Sequence, residues 1–375
     1  MSGGRDVLGL ARELLSFRTI NPPGDEAAVV ARLGGMLEAA GFATRRVDLA
    51  PGRPSLVARL PGGDPDAPAL GMTGHVDVVP LGATPWRRDP WNGETDGDRL
   101  YGRGAADMKG GVAAMVLAAC DIARERGRKA GIELVLTAGE ETGCIGAKQV
   151  VQTPRVLGRV GALLVGEPTG LEPKLGHRGV IWLQIRFSGR TAHASMPEAG
   201  DNAVLKAARA ALRLADHDFG GARHPALGRP SLNVGRLEGG LNLNSVPDAA
   251  VLGIDVRPIP GQSGVAVAAE LARLLPDAAV ELLVDCPPLW SEASAPWLEE
   301  VARTAAAVTG RTSDLGPVPF ATDGGYLAPA YGGVPTVILG PGETAQAHQT
   351  DEWCSITQLE QAKELYGQLA RSWCL

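Results

Sequence analysis

The hydrophobic pattern changes character partway along the chain and then changes back, and this limits the fold more than any single motif. Over residues 1–175 short apolar runs (Ser55–Leu60, Ala69–Thr73, Ile132–Thr137, Gly161–Val165) alternate with helical stretches over 5–16, 25–40 and Met108–Arg126, the last opening just after the N-cap type residue Asp107. The same style returns over 286–375, with a strand at Val334–Leu339 and a helix at Ser355–Ser372. Such alternation predicts an α/β domain with a mostly parallel sheet and helices on both faces. Residues 176–285 read differently. Ile181, Leu183, Ile185 and Phe187 share one face of a strand, as do Ala250, Leu252, Ile254 and Val256, and the elements run β-α-β-β-α-β. That order predicts a ferredoxin-like module inserted into the larger domain, whose two parts are 1–175 and 286–375.

Charge excludes several function classes. The net charge is -6 with a pI near 5.6, which leaves no basic footprint for nucleic acid and no polybasic patch for a membrane. No apolar run approaches the roughly 18–20 residues that a membrane helix needs. The opening MSGGRDVLGLARELL carries acid and Arg inside its apolar pattern and reads as an amphipathic helix, not a signal peptide. The five cysteines are scattered, odd in number and without a CxxC pair, so the expectation is a cytoplasmic protein without disulfides.

The chemistry-bearing residues fall after strands. His75 and Asp77 follow Ala69–Thr73, Glu140 and Glu141 follow Ile132–Thr137, Glu167 follows Gly161–Val165, and His348 follows Val334–Leu339. In open α/β sheets, sites form beyond the carboxyl ends of strands, so these residues and Asp107 could converge on one rim. His75 and Asp77, two apart on an extended chain, share a face, and Asp77 could orient the imidazole. Two adjacent carboxylates after a buried strand repel each other unless a cation or proton intervenes. Taken singly, His75 is more often a solvated or hydrogen-bonded loop residue, Glu140–Glu141 a solvated acidic pair and Asp107 a plain N-cap; their joint placement is what argues for a site. Gly102–Asp107 starts like a dinucleotide fingerprint but fails at its last position, and no Walker loop, HExxH or GxSxG occurs.

GHVDVVP, YGRGAADMKGGVAAM, GEETG, VGEPT and GPGETAQAHQTDEW, in that order, resemble the co-catalytic zinc peptidases and deacylases of the M20 family. That family includes acetylornithine deacetylase, succinyl-diaminopimelate desuccinylase, aminoacylase and glutamate carboxypeptidase, and the resemblance spans essentially the whole chain. It implies two zinc ions, with cobalt or manganese as possible substitutes. His75 and Glu167 would bind one, Glu141 and His348 the other, and Asp107 would bridge them. Glu140 would be the general base, Asp77 would orient His75, and the peptide after Asp107 would be cis. A metal-bridged hydroxide would attack the amide of an N-acyl amino acid. Glu at position 167, where aminopeptidases usually carry Asp, favours substrates with a free carboxylate.

The resemblance also makes residues 176–285 a lid and dimerisation domain. His193 would reach the partner subunit's active site and steady the oxyanion, while Arg178, Asn244 and Arg257 would contact substrate. The closing GPG…QAHQTDEW is closer to acetylornithine deacetylase. Pro319–Gly325 has Ala321 and Gly325 where the desuccinylase loop carries Thr and Arg, and Met196 stands where a lid Tyr is expected. The expected protein is a homodimeric, acetylornithine deacetylase-like amidohydrolase acting on a small N-acyl amino acid or dipeptide. A glutamate carboxypeptidase or dipeptidase, or a desuccinylase, are the alternatives. A non-enzymatic scaffold on this fold should have lost a ligand or Glu140, and all are present.

Overall fold

The computed structural model describes residues 6–375. The helix expected over 5–16 runs Val7–Ser16, capped by the Asp6 carboxylate on the Leu8 N–H, and Arg5 lies outside the described residues. The chain divides into two compact units. One reaches Gly176 and takes up again at Trp290–Val318 and Thr322–Leu375; the other comprises His177–Leu289 with Pro319–Ala321.

The first unit is built on a six-stranded sheet in the spatial order Ala43–Ala50, Arg53–Leu60, Ile132–Thr137, Ala69–His75, Val160–Val165, Thr336–Ile338. The first two joins are antiparallel and the remaining three parallel. The antiparallel edge is a hairpin turning at Pro51–Gly52, with Gly52 at φ 79°. Its outer strand escapes a pattern reading because Val47 is its one fully buried residue.

Apolar residues cover both faces. Leu56, Leu70 and Leu134 join the main core with helices Val7–Ser16, Gly110–Ala123 and Ile356–Cys374. Val57 and Val135, one residue along and so on the opposite face, are buried beside helices Ile145–Gln152 and Gly324–Ala330. Gly110–Ala123 lies between the sheet and two other helices, and every residue from Gly110 to Cys120 is buried.

This central helix starts two residues later than expected and ends at Ala123. Asp107 (φ -119°, ψ 94°) and Met108 (φ -132°, ψ 32°) are not helical, and the peptide between them is cis. Asp107 is therefore not an N-cap. Its carboxylate turns instead to the imidazoles of His75 and His348. Gly111 lets the helix touch the segment before Glu167, since a Cβ there would lie 2.4 Å from the Gly166 carbonyl oxygen.

The second unit carries a four-stranded antiparallel sheet in the order Ser231–Gly239, Ala249–Arg257, Val180–Ser188, Ala278–Cys286. Helices Ala203–Ala215 and Gly264–Leu274 pack on one face, capped by Asn202 and Ser263. The alternating residues Ile181, Leu183, Ile185 and Phe187 meet Ala207, Leu214 and Leu271 in a separate core. Among the described residues no helix is long and apolar enough to cross a membrane, and no cysteine is in a disulfide.

Candidate metal centre

His75 ends the strand Ala69–His75 and is fully enclosed. Its Nδ1 lies 2.9 Å from the carbonyl oxygen of Asp77. A carbonyl only accepts, so Nδ1 carries the proton and the Nε2 lone pair faces the site. The Asp77 carboxylate, 3.6 Å from Nδ1, has other partners. Its Oδ1 accepts the Glu140 N–H at 3.1 Å, and its Oδ2 accepts the Glu141 N–H at 3.2 Å and the Asn21 amide at 2.8 Å. Asp77 thus braces the ring of His75 through its backbone and the two glutamates through its side chain.

Asp107 stands between two histidines. One oxygen lies 3.0 Å from His75 Nε2 and the other 3.3 Å from His348 Nε2. His348 Nε2 is also 3.0 Å from Glu141 Oε2, and Glu167 Oε1 is 3.7 Å from His75 Nε2. His75 forms one close group with Asp107 and Glu141 and a second with Glu140 and Glu167, each with ligand atoms within 4.8 Å of one another. All the residues expected on one rim meet here.

The electrostatics show what the arrangement lacks. Burial pushes the Glu140 and Glu167 carboxyls well above the usual range, and their acidic neighbours add to it. Glu141 is raised by burial and by Asp107. Burial would lower His75, but Glu167 and Asp107 pull it well above the usual imidazole value. Hydrogen bonds to Asp107 and Glu141 raise His348 to about 10. Each imidazole Nε2 faces carboxylate oxygens, which as carboxylates only accept, so a proton or a cation has to stand between them. Glu141 Oε1 is buried with no partner. Imidazole and carboxylate donors with an unmet buried acceptor fit divalent cations, and His75, Asp107, Glu141, Glu167 and His348 could hold them.

Residues 71–372 match peptidase family M20/M25/M40. The chain belongs to that family. It is a metallo-hydrolase of the peptidase and deacetylase kind. The acetylornithine deacetylase of Myxococcus xanthus is 31% identical, with 97% of this chain and 95% of the relative covered; that of Erwinia tasmaniensis is 29% identical over 91% and 90%. Among solved structures, an M20 family metallo-carboxypeptidase from Sulfolobus solfataricus superposes with a TM-score of 0.82 at 17% identity, covering 98% of this chain and 99% of that one. A dinuclear metal binding peptidase of the M20 family from Bacillus subtilis gives 0.71 at 16%, covering 97% and 96%. These two likenesses support the fold.

Sequence reasoning passed over four residues that shape this M20 centre. Asn21 reaches Asp77 and, at 3.1 Å, the Thr142 hydroxyl. Asp323 is buried and takes the Thr137 hydroxyl; burial pushes its carboxyl up to about 6, and it forms a close group with Glu140 and Cys144. Arg103 and Glu352 form a buried ion pair. The available signal was their position inside the matched motifs, where Arg103 precedes Asp107 by four residues and Glu352 follows His348 by four.

The remaining expected site residues lie in or at the edge of the second unit. His193 is exposed, and its Nδ1 is 2.8 Å from the Ser195 hydroxyl. Asn244 is exposed beside it, its carbonyl accepting the Ala194 N–H at 3.0 Å. Arg178 donates to Ser231 Oγ at 3.3 Å. Arg257 places its fork on Asp255, two residues back on the same strand, at 2.8 and 3.0 Å. That is the surface ion pair which a strand Arg so often makes.

Proposed function

We propose that this M20 hydrolase is a dizinc amidohydrolase that removes the acetyl group from an ornithine-like N-acetyl amino acid. The carrying observation is Asp107 set between His75 and His348, with Glu141 and Glu167 completing two donor sets around it. Deacetylase relatives that span nearly the whole chain support the substrate class.

Two bound divalent ions would polarise the scissile carbonyl and bring the pKa of water toward neutrality. His75 and Glu167 would hold one, Glu141 and His348 the other, with Asp107 shared. Glu140 is the general base: raised by burial, it takes a proton from the attacking water and hands it to the leaving amine nitrogen. Water adds to the acyl carbon, the C–N bond breaks, and acetate and a free amino group leave. His193 donates to the tetrahedral oxyanion, and Asn244, Arg178 and Arg257 meet the substrate; Arg257 exchanges Asp255 for the substrate carboxylate.

The working form is a cytoplasmic homodimer in this reading. Strand Ser231–Gly239 is a sheet edge, and beside it Leu212 is 73% and Leu237 44% exposed. Unpaired edge backbone next to apolar side chains suits pairing with a second copy. Sedimentation of the wild-type chain should give a dimer, and Leu237→Lys should shift it to monomer.

Turnover of acetyl, succinyl and formyl amino acids and of dipeptides by metal-replete protein tests the substrate reading. Acetylornithine should lead. Faster cleavage of dipeptides would replace the deacetylase with a dipeptidase, and preference for succinyl substrates with a desuccinylase.

A further inference from the structure

We infer that Arg103 and Glu352 are positioning residues: their ion pair is a strap that sets the spacing between Asp107 and His348. The inference rests on the metal-centre reading above and adds to it the device that keeps one ion's ligands in place.

The strap sits at the end of a short antiparallel ladder, Trp353–Ser355 against Arg99–Tyr101, where the Gly102 N–H also donates to the Glu352 carbonyl at 2.9 Å. Glu352 Oε1 accepts the N–H groups of Ala106 at 2.9 Å and Asp107 at 3.1 Å. Its Oε2 accepts the Gly104 N–H at 3.0 Å and the Arg103 guanidinium at 2.6 Å. One carboxylate thereby fixes the backbone immediately before the Asp107 side chain. Arg103 works in the other direction. It donates to the carbonyl of His348 at 3.4 Å and of Gln349 at 3.2 Å, and to that of Pro80, downstream of His75 and Asp77, at 3.3 Å.

The loop that carries His348 needs outside support. His348 (φ 63°) and Asp351 (φ 58°) are left-handed without being glycines. The His348 side chain is 53% exposed, so no wall of side chains holds the imidazole in place. Its ring reaches Asp107 and Glu141 while Arg103 holds the carbonyls of His348 and Gln349 and the Asp351 carboxylate accepts the Arg87 N–H at 2.8 Å. Both partners of the pair are buried, at 1% and 0% exposure. A buried ion pair adds little net stability over apolar packing, yet removing one partner leaves the other charge uncompensated. Here it supplies a fixed geometry that apolar side chains cannot give, because apart from the ion pair itself its bonds go to backbone groups near the ligands.

The test is metal titration of the full-length chain. Chelator-stripped wild type, Glu352→Gln, Arg103→Lys, His348→Ala and Tyr331→Phe are titrated with Co2+, followed by calorimetry and visible absorbance. Glu352→Gln keeps the shape but turns an amide N–H2 toward N–H donors. Arg103→Lys keeps the charge but cannot span its carbonyls. Tyr331→Phe removes a part-buried hydroxyl bonded to Glu133 at 2.6 Å, so it perturbs the fold elsewhere.

Both strap variants should behave like His348→Ala: the second ion weakens by about tenfold or more while the first stays within about threefold. Tyr331→Phe should keep both ions whatever it does to the melting temperature. Should Glu352→Gln fail to fold, Arg103→Lys carries the test. The strap is overturned if these variants hold both ions as tightly as wild type, or if both ions weaken together in step with melting temperature. Wild type binding fewer than two ions would sink the metal reading itself, and the strap with it, so the two failures are distinct.

Discussion

Asp77 Oδ1 accepts the backbone N–H of Glu140 at 3.1 Å, which makes the Asp77 carboxylate the anchor of the Glu140–Glu141 turn as much as a neighbour of His75. Its other oxygen takes Glu141 and Asn21. In Asp77→Asn, one side of the amide must face an N–H donor with N–H2, so one glutamate N–H is left without an acceptor. Metal affinity should fall by about 10- to 100-fold, the usual range for losing an orienting partner. Calorimetric titration checks this, and unchanged affinity would confine Asp77 to a passive role.

Glu140→Gln separates chemistry from metal binding. Gln keeps the size of the side chain and cannot take a proton, and none of the proposed ligands is altered. Metal content by elemental analysis should stay at the wild-type level. Turnover should fall by roughly 10²–10⁴-fold. A parallel loss of metal would instead make Glu140 a ligand, as its close group with His75 and Glu167 would allow.

How much of this could be read beforehand depended on the range of the interaction. The alternation in Val180–Phe187 and Ala249–Arg257 is local, and those residues are the core of the second unit. His75 and the glutamates after Ile132–Thr137 follow buried strands, so their meeting at one sheet end follows from strand direction. What escaped was set by distant partners. Arg103 and Glu352 are 249 positions apart, and such residues are normally solvated when met singly. The helix start was misplaced because Asp107 is an excellent cap by local chemistry, and only its histidine partners take it out of that role. Ala43–Ala50 was missed because an exposed edge strand carries hardly any apolar signal.

His177 offers a pH test away from the metal centre. It is fully buried, and its Nδ1 is 2.9 Å from the Arg178 carbonyl. Burial lowers its pKa to about 4, and that hydrogen bond pulls weakly the other way. The unfolded chain therefore takes up a proton between pH 6.5 and 4 that the folded chain refuses. The stability that rests on neutral His177 is complete above pH 6.5 and is lost as the pH falls toward 4, by roughly 3 kcal/mol in total. Denaturant melts of wild type and His177→Gln, compared from pH 7 to pH 4, should show the wild type losing that much more. Parallel curves would mean that His177 is solvated or charged in the fold.

His193 tests whether the subunits share their chemistry. His193→Ala should leave metal content intact and cut turnover by about 10²–10³-fold, as the loss of one oxyanion donor does. If His193 serves the partner's centre, mixing this variant with Glu140→Gln creates dimers with one centre that has both an intact base and an intact donor. Such mixtures should recover up to about a quarter of wild-type turnover under random subunit exchange. Mixtures no more active than the sum of their parts would show that each subunit works with its own histidine.

Removing the metals should lower the stability of the fold. Without cations, Asp107, Glu140, Glu141 and Glu167 lie together beside His75 and His348, and burial holds the three glutamate carboxyls above their usual range. Ions that bind the folded chain alone stabilise it by RT ln(1 + [L]/Kd), about 4 kcal/mol per ion at a thousandfold excess over Kd. Chelator treatment should therefore lower the melting temperature by several degrees, and returning Zn2+ should restore it in proportion to the ions taken up. The loss should be smaller in a Glu141→Gln variant, which lacks one proposed ligand and so binds its ion less tightly. Equal melting temperatures with and without chelator, in protein verified to have bound zinc beforehand, would mean that the ions bind the folded and unfolded chains equally well.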